Sequence, residues 1–318
     1  MPIYFEQIVL IFLRILFIVN SVASSVTARR RVITQKILSA DHEVTLAETT
    51  RSGHATRLAL SAANNNFDLV VVLGGDGTVN EAANGLAGTE TALATLPGGS
   101  TNVLARILGL PDDPVDAALV LLDAIDRGSI FRIGLGAVEG RYFLFHCGVG
   151  FDAAVVEQVE NRGTWKRWAG HPLFVWAAFD TWLRRVERNK PSLRVLDMHG
   201  NLLTEGSLAV AMNTNPYTYL GSRPIDLVGG LSLKDPLALV TLKDLKLASL
   251  AGVMASALRG KDLTPKKQVD LCTGQRSFLV EADPPAPYQV DGDYLGTSKS
   301  LRFTWTPERL ALLMPDPP

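Results

Sequence analysis

A chain of 318 residues is long enough for two domains with their own cores, and its 47% apolar and 20% charged content is that of a globular protein. Lys and Arg number 31 against 32 Asp and Glu, a net charge of −1 that excludes a generic nucleic-acid binder. Two cysteines, Cys147 and Cys272, make neither a disulfide framework nor a zinc set, which fits a reducing cytoplasm.

Residues 1–13 read as an extension or an over-long start. The apolar run from Ile8 to Val19 is broken by Arg14, falls short of the roughly 20 residues that span a bilayer, and lacks the basic start and cleavage site of a leader. An interfacial anchor is the alternative. From Ile15 the chain alternates: a strand to Val19, a helix from Thr27 to Ser39, a strand from Val44 to Ala47, a helix from His54 to Ala63. A strand opening at Leu69 with its helix follows, then a strand from Thr91 to Leu96, a helix from Thr101 to Leu108, and a helix entered through Asp112-Asp113-Pro114. This pattern predicts a doubly wound α/β layer over residues 1–130, with ligands gathered at the carboxyl ends of its strands.

After Gly128 the texture changes. Strands from Phe131 to Val138 and Tyr142 to His146 flank the hairpin signal Glu139-Gly140, and strands from Leu193 to Met198 and Leu208 to Met212 flank His199-Gly200-Asn201. Further strands are expected at Leu237 to Leu242, Gln268 to Cys272, Ser277 to Glu281, Tyr288 to Val290 and Leu301 to Trp305. Helices are expected near Asp152 to Glu160, Trp165 to Arg188 and Leu245 to Leu258. Residues 131–305 therefore read as a mostly antiparallel, sandwich-like β domain, and 306–318 as a return of the chain to the first domain.

The functional turns lie at strand ends. Leu69-Val-Val-Val-Leu-Gly-Gly-Asp-Gly-Thr-Val-Asn-Glu81 is an apolar strand that stops at Gly74, Gly75, Asp76 and Gly77 before a helix start. Glycines permit a sharp turn and close approach to a ligand, and free helix N–H groups favour phosphate. There is no Walker-type lysine and no dinucleotide spacing. A carboxylate in such a loop is repulsive to phosphate unless it holds a cation or takes a proton; a tight turn without a ligand is the plain alternative. Thr95-Leu-Pro-Gly-Gly-Ser-Thr-Asn102 repeats the pattern, with Ser100 opening the helix, while Asn20-Ser21 and Thr49-Thr-Arg-Ser-Gly53 are two more polar strand ends. Taken singly each is a helix cap; the four together point to a nucleotide. The late loop Val290-Asp-Gly-Asp-Tyr294 is explained by a hairpin turn, yet with Asp76 it would supply carboxylates to both sides of a cleft, as phosphoryl transfer requires.

The Gly74–Glu81 loop, Pro97–Arg106 with Gly109-Leu-Pro111, Gly148-Val-Gly-Phe-Asp152 and Asp291-Gly-Asp293 together resemble the lipid kinases with a diacylglycerol-kinase-type catalytic domain, relatives of sphingosine and ceramide kinases. The resemblance runs in order from about Ile15 to Pro315. The first loop alone would also admit NAD kinases and phosphofructokinases, whereas Asn102-Val-Leu-Ala-Arg106 has the lipid-kinase form.

The resemblance implies ATP and magnesium as cofactors, with ATP held by Asn20, Thr49, the loop residues Gly74, Gly75, Asp76, Gly77, Thr78, Val79 and Asn80, and the Ser100 hydroxyl. It implies Asp293 as the base, standing where many members carry Glu, with Asp76 and Asp291 organising magnesium; in sphingosine kinases the base role usually goes to the loop acid, here Asp76. A structural magnesium would draw on oxygens of Ser232, Asp235 and Leu237, although Pro236 replaces a glycine and Lys234 adds a positive charge. Arg132 stands where members commonly place an acid. The reaction implied is transfer of the γ-phosphate to a lipid hydroxyl, first of all diacylglycerol to give phosphatidic acid. The alternatives are a sphingoid, ceramide or soluble acceptor, or a non-catalytic nucleotide-binding protein. The partner is then a membrane lipid, reached by a cytoplasmic protein touching the bilayer surface, with no nucleic acid; a homodimer is admitted. Trp165 to Trp182, flanked by Arg162, Lys166, Arg167 and Arg184, reads either as a helix packed on the second domain or as that membrane contact.

Overall fold

The computed structural model describes residues 12–151, 153–154, 192–261, 263 and 266–316. Its first layer is built on three parallel strands, β1 (Arg14–Val19), β3 (Leu69–Gly74) and β4 (Ala92–Pro97), whose side chains are buried almost without exception. Uninterrupted runs such as Leu69-Val-Val-Val-Leu73 suit strands covered on both faces. The edge strand β2 (Glu43–Glu48) instead turns Glu43, Thr45 and Glu48 to solvent, which discourages further pairing.

The strand order is β2-β1-β3-β4. Helix α1 (Ala28–Leu38) packs on α5 (Pro114–Asp126), and α2 (His54–Asn64) packs on α3 (Asp76–Leu86). Right-handed crossovers in this order reverse their winding between β1 and β3, so a crevice opens outside the carboxyl ends of those two strands. Asn20 and Gly74 stand there. The fold is therefore mixed α/β, with a parallel amino-terminal layer followed by an antiparallel, strand-rich region, as the strand–helix alternation predicts.

The strand-rich region runs from β5 (Ile130–Val138), β6 (Arg141–Phe143) and β7 (His146–Gly150) through β8 (Leu193–Leu196), β9 (Leu202–Gly206) and β10 (Leu208–Met212). It continues with the small hairpin β11 (Thr218–Leu220) and β12 (Arg223–Ile225), then β13 (Leu237–Leu242), helix α6 (Leu247–Ala257), β14 (Val269–Gln275), β15 (Ser277–Val290) and β16 (Asp293–Leu313). The short helix α4 (Val103–Ile107) belongs to the first layer. Strand β16 joins the two regions: it pairs antiparallel with β15 and β5, then meets β4 in parallel at Leu312 and Leu93.

Several elements differ from their sequence expectations. The hairpin at His199-Gly200-Asn201 closes on β9, not on the strand beginning at Leu208. The Asp197 carboxylate there accepts the His199 and Asn201 backbone N–H groups, both at 2.8 Å, and tightens the turn. The single strand expected over Tyr142 to His146 is divided between β6 and β7. Ser277–Glu281 and Tyr288–Val290 are parts of one 14-residue strand, and Leu301–Trp305 lies inside a 21-residue one. The hairpin β11–β12 was not expected at all. The helices expected near Asp152 to Glu160 and Trp165 to Arg188, and the membrane contact placed on Trp165 to Trp182, lie outside the described residues. Among the described residues no helix is long and apolar enough to cross a membrane.

Leu312 is fully buried where β16, β5 and β4 meet. Leu312→Ala should cost about 2–5 kcal/mol through the cavity it leaves. Denaturant unfolding followed by both near-UV and far-UV signals checks this, and a loss below 1 kcal/mol would contradict the central place given to β16.

Candidate active site

The two glycine turns pack on each other, backbone against backbone. Gly98 donates its N–H to the Gly74 carbonyl at 3.0 Å. A Cβ on Gly98 would come within 2.7 Å of Gly74 N, and one on Gly99 within 2.7 Å of Gly75 Cα. The glycine type is thus required first by the meeting of two main chains. Asn102, itself in the left-handed region at φ 52, closes the second turn by accepting from Gly99 N at 2.8 Å and donating to Gly99 O at 3.0 Å.

Asn20, at the end of β1, donates from Nδ2 to Thr78 Oγ1 at 2.9 Å and from its backbone N–H to Leu73 O at 3.0 Å. The first strand end is thereby tied to the glycine-loop helix at the reversal of winding. Thr49 lies beside it, its N–H on Val19 O at 2.9 Å, and Ser100 is exposed at the second turn.

Two acids of α3 fill helix starts that a nucleotide was expected to use. Asp76 is half-buried, and its Oδ1 accepts the Val103 N–H at 2.7 Å, capping α4. Burial pushes its pKa up to about 6, against the lowering effect of the Val103, Leu104 and Asn102 N–H groups and of Arg106. Glu81 does the same for α2: its carboxylate accepts Gly53 N at 2.7 Å and Ala55 N at 3.1 Å. The protein's own carboxylates therefore occupy the positive ends of α2 and α4. Of the four polar strand ends read from the sequence, the α3 start, with Asn20 beside it, has no side-chain cap, and its Thr78 N–H turns to Gly75 O at 2.9 Å. His54 turns back on its own loop, Nδ1 lying 3.2 Å from Thr50 N.

Asp291 and Gly292 form the two-residue turn between β15 and β16, at φ 49 and 87, with Val290 paired to Asp293. Two successive positive φ values are what a type I′ hairpin asks, and Asp-Gly supplies them. The Asp291 side chain is buried and fully engaged. Its Oδ1 accepts Phe145 N at 3.0 Å and His146 N at 2.9 Å, and its Oδ2 accepts Leu144 N at 2.8 Å together with Asn80 Nδ2 from α3. Burial raises its pKa to about 7, opposed by the three backbone N–H groups, with the Asp293 charge adding to the rise.

The magnesium role expected of Asp291 is accordingly replaced by a structural one, because four donors leave its oxygens no free lobe for a cation. The Asp235 carboxylate accepts Ser232 N at 2.9 Å and Ser232 Oγ accepts Lys234 N at 3.3 Å, so Ser232 and Asp235 close a turn on themselves; Leu237 is buried at the start of β13. No cluster of three His, Cys, Asp or Glu able to hold a metal occurs among the described residues.

Asp293, next along the hairpin, is the open acid of the pair. Its side chain is 44% exposed, and Oδ2 accepts from Arg141 on β6 at 2.7 Å, which leaves Oδ1 available. Residues the sequence reading gave no role complete the frame. Asn84 donates to Tyr142 O and accepts from Tyr142 N, both at 3.0 Å, so α3 is laced to β6. Arg309 on β16 donates to the Tyr142 hydroxyl at 2.9 Å. Arg132, standing where an acid was expected, pairs with Glu90 and donates to Glu308 O at 3.3 Å, pinning the returning strand.

The model of the diacylglycerol kinase catalytic domain matches residues 14–133. The diacylglycerol kinase of Bacillus subtilis (strain 168) is 30% identical over 270 residues, which cover 83% of this chain and 84% of that protein. The chain belongs to the diacylglycerol kinase family. It is an enzyme of the diacylglycerol kinase type. A solved candidate diacylglycerol kinase from Bacillus anthracis str. Sterne superposes with a TM-score of 0.74 at 22% identity, over 95% of each chain. An NAD kinase from Archaeoglobus fulgidus in complex with ATP shares the fold more distantly, with a TM-score of 0.53 at 11% identity over 95% of this chain and 94% of that one. The diacylglycerol kinase sequence thus carries the glycine loop and the late Asp-Gly-Asp hairpin in one frame, laced by Asn80 and Asn84.

Asp76 and Asp291 both hold a proton to higher pH in the fold than their ordinary 3.8. The native state then binds more protons than the unfolded chain from about pH 4 to 7, and their contribution to stability falls as pH rises through that window. Asp291→Asn sets an NH2 against N–H donors and should cost about 2–4 kcal/mol. Thermal melts of variant and wild type across pH 4–8 should show that deficit largest near pH 4 and shrinking toward pH 7; a pH-independent deficit would refute the raised carboxyl.

Proposed function

We propose that this enzyme transfers the γ-phosphate of ATP to the free hydroxyl of diacylglycerol, making phosphatidic acid, with Asp293 as the proton acceptor. One observation carries the reading: the Asn80–Asp291 hydrogen bond fastens the glycine-loop helix to the hairpin that bears Asp293. The phosphate cradle and an acid with an open oxygen are thereby held in one rigid unit. The neighbouring fold found in complex with ATP in an NAD kinase supports ATP as donor.

The polyphosphate lies against the first-turn N–H groups of α3, whose positive end is not filled by another carboxylate, between Thr78 with Asn20 on one side and Ser100 on the other. The hydroxyl oxygen of the acceptor attacks the γ-phosphorus, the bond to the bridging oxygen breaks, ADP leaves, and the hydroxyl proton passes to Asp293 Oδ1. Arg141 keeps that carboxylate aimed by holding its other oxygen. Asp76 keeps the α4 turn against the glycine loop and so fixes the shape of the cradle. Magnesium, when bound with ATP, neutralises phosphate charge; with Asp291 saturated, its ligands would be the phosphates and water more than a preformed acidic cage. The acceptor resides in a bilayer, so the enzyme works from the cytoplasm at the membrane surface.

The test is incubation with labelled ATP, magnesium and mixed micelles of diacylglycerol. Label should appear in phosphatidic acid. Asp293→Asn should lower kcat by about 10²–10⁴-fold while the KM for ATP and the melting curve stay near wild type. Transfer at the wild-type rate by Asp293→Asn would remove the base, and ATP binding with no transfer to any lipid would remove the function.

A further inference from the structure

A cavity of about 300 Å³ lies between the end of α4, the segment after β10, the segment before β13 and the end of β16. Its apolar wall is Ile107, Leu108, Leu231, Leu233 and Met314. That is about twice the ~150 Å³ in which an apolar cavity admits a benzene-sized guest. The same wall contains Thr214, which is 2% exposed and whose hydroxyl has no hydrogen-bond partner among the described groups. Buried hydroxyls are almost always satisfied, so one left without a partner beside an apolar hollow is informative.

The cavity is flanked by both halves of the reaction centre. On one side, α4 begins at Val103, whose N–H is held by Asp76, and ends at Ile107 in the wall; at 1.5 Å per residue the helix spans roughly 6 Å between them. On the other, Asn213 precedes Thr214 and donates its N–H to Phe145 O at 2.8 Å, while Phe145 N donates to Asp291 at 3.0 Å. Thr214 is thus two hydrogen bonds from the hairpin that carries Asp293.

We infer that this cavity holds one acyl chain of the acceptor, with the Thr214 hydroxyl, sealed in its present rotamer, turning about χ1 to donate a hydrogen bond to the ester carbonyl. The inference deepens the diacylglycerol reading and rests on it for the identity of the ligand. The alkyl chain covers Ile107, Leu231 and Met314, and the carbonyl satisfies the buried hydroxyl of the wall that lacks a partner. Asp316, exposed where it borders the cavity, adds negative charge that disfavours the carboxylate of a free fatty acid and leaves a neutral acyl ester as the fitting class.

Two variants and two measurements test it. Leu231→Trp fills the cavity from a half-buried position, and Thr214→Val removes the hydroxyl at nearly constant volume. Equilibrium binding of labelled dioctanoylglycerol, below its micellar concentration, is measured beside kinetics with the same lipid. Leu231→Trp should weaken binding and raise the KM for dioctanoylglycerol by at least ten-fold, and Thr214→Val by about five-fold, with the KM for ATP within two-fold of wild type in both. Wild-type binding and turnover by both variants, with unchanged melting curves, would overturn the cavity while leaving the kinase reading intact, as would absence of binding to the wild type. Binding that Leu231→Trp abolishes, in an enzyme that phosphorylates no acylglycerol, would overturn the kinase reading and keep the cavity.

Discussion

A buried carboxylate with four hydrogen-bond donors governs the arrangement of this enzyme. Asp291 could not remain in its position without them, since an unsatisfied acid in the interior carries a large desolvation cost. The donors come from two places, the Leu144–His146 backbone that leads into β7 and the Asn80 side chain on α3. This group registers the parallel layer against the strand-rich region, beside the Asn84–Tyr142 hydrogen bonds and the pairing of β16 with β4. The hairpin that bears it is positioned as a by-product, and with it the half-exposed carboxylate of Asp293.

Much of the charge logic of the site is internal. Helix amino termini attract anions, and here Asp76 and Glu81 supply two of those anions from one helix, α3, each capping a neighbour. This solidifies the wall of the cleft, while the start of α3, at the reversal of winding between β1 and β3, has no side-chain cap.

The parallel layer was legible because its strands are long apolar runs and its turns are glycine pairs, features set by local chemistry. The hairpins at Glu139-Gly140 and Asp291-Gly292 were legible for the same reason. Strand β9 was not: Leu202-Leu-Thr-Glu-Gly206 is short and of mixed polarity, and only Ser207 separates it from β10. The pairing of Arg141 with Asp293 joins residues 152 positions apart and leaves no local mark. Nor does sequence distinguish an acid that holds a cation from one that accepts backbone N–H groups. Asp76 and Asp291 stood in the expected motifs, and what their oxygens touch depends on turns that meet only in the folded chain. The glycines at 74, 75, 98 and 99 gave a true signal of close approach, but the partner is the other turn.

The last long strand, β16, completes the sheet for residues made much earlier. As the chain leaves the ribosome, β4 and β5 emerge with an unpaired edge that stays open until β16 follows. The amino-terminal layer carries the family's glycine loop, yet it cannot close its sheet before β16 is made. Until β16 is made, the nascent layer carries an open β edge of the kind that invites mispairing.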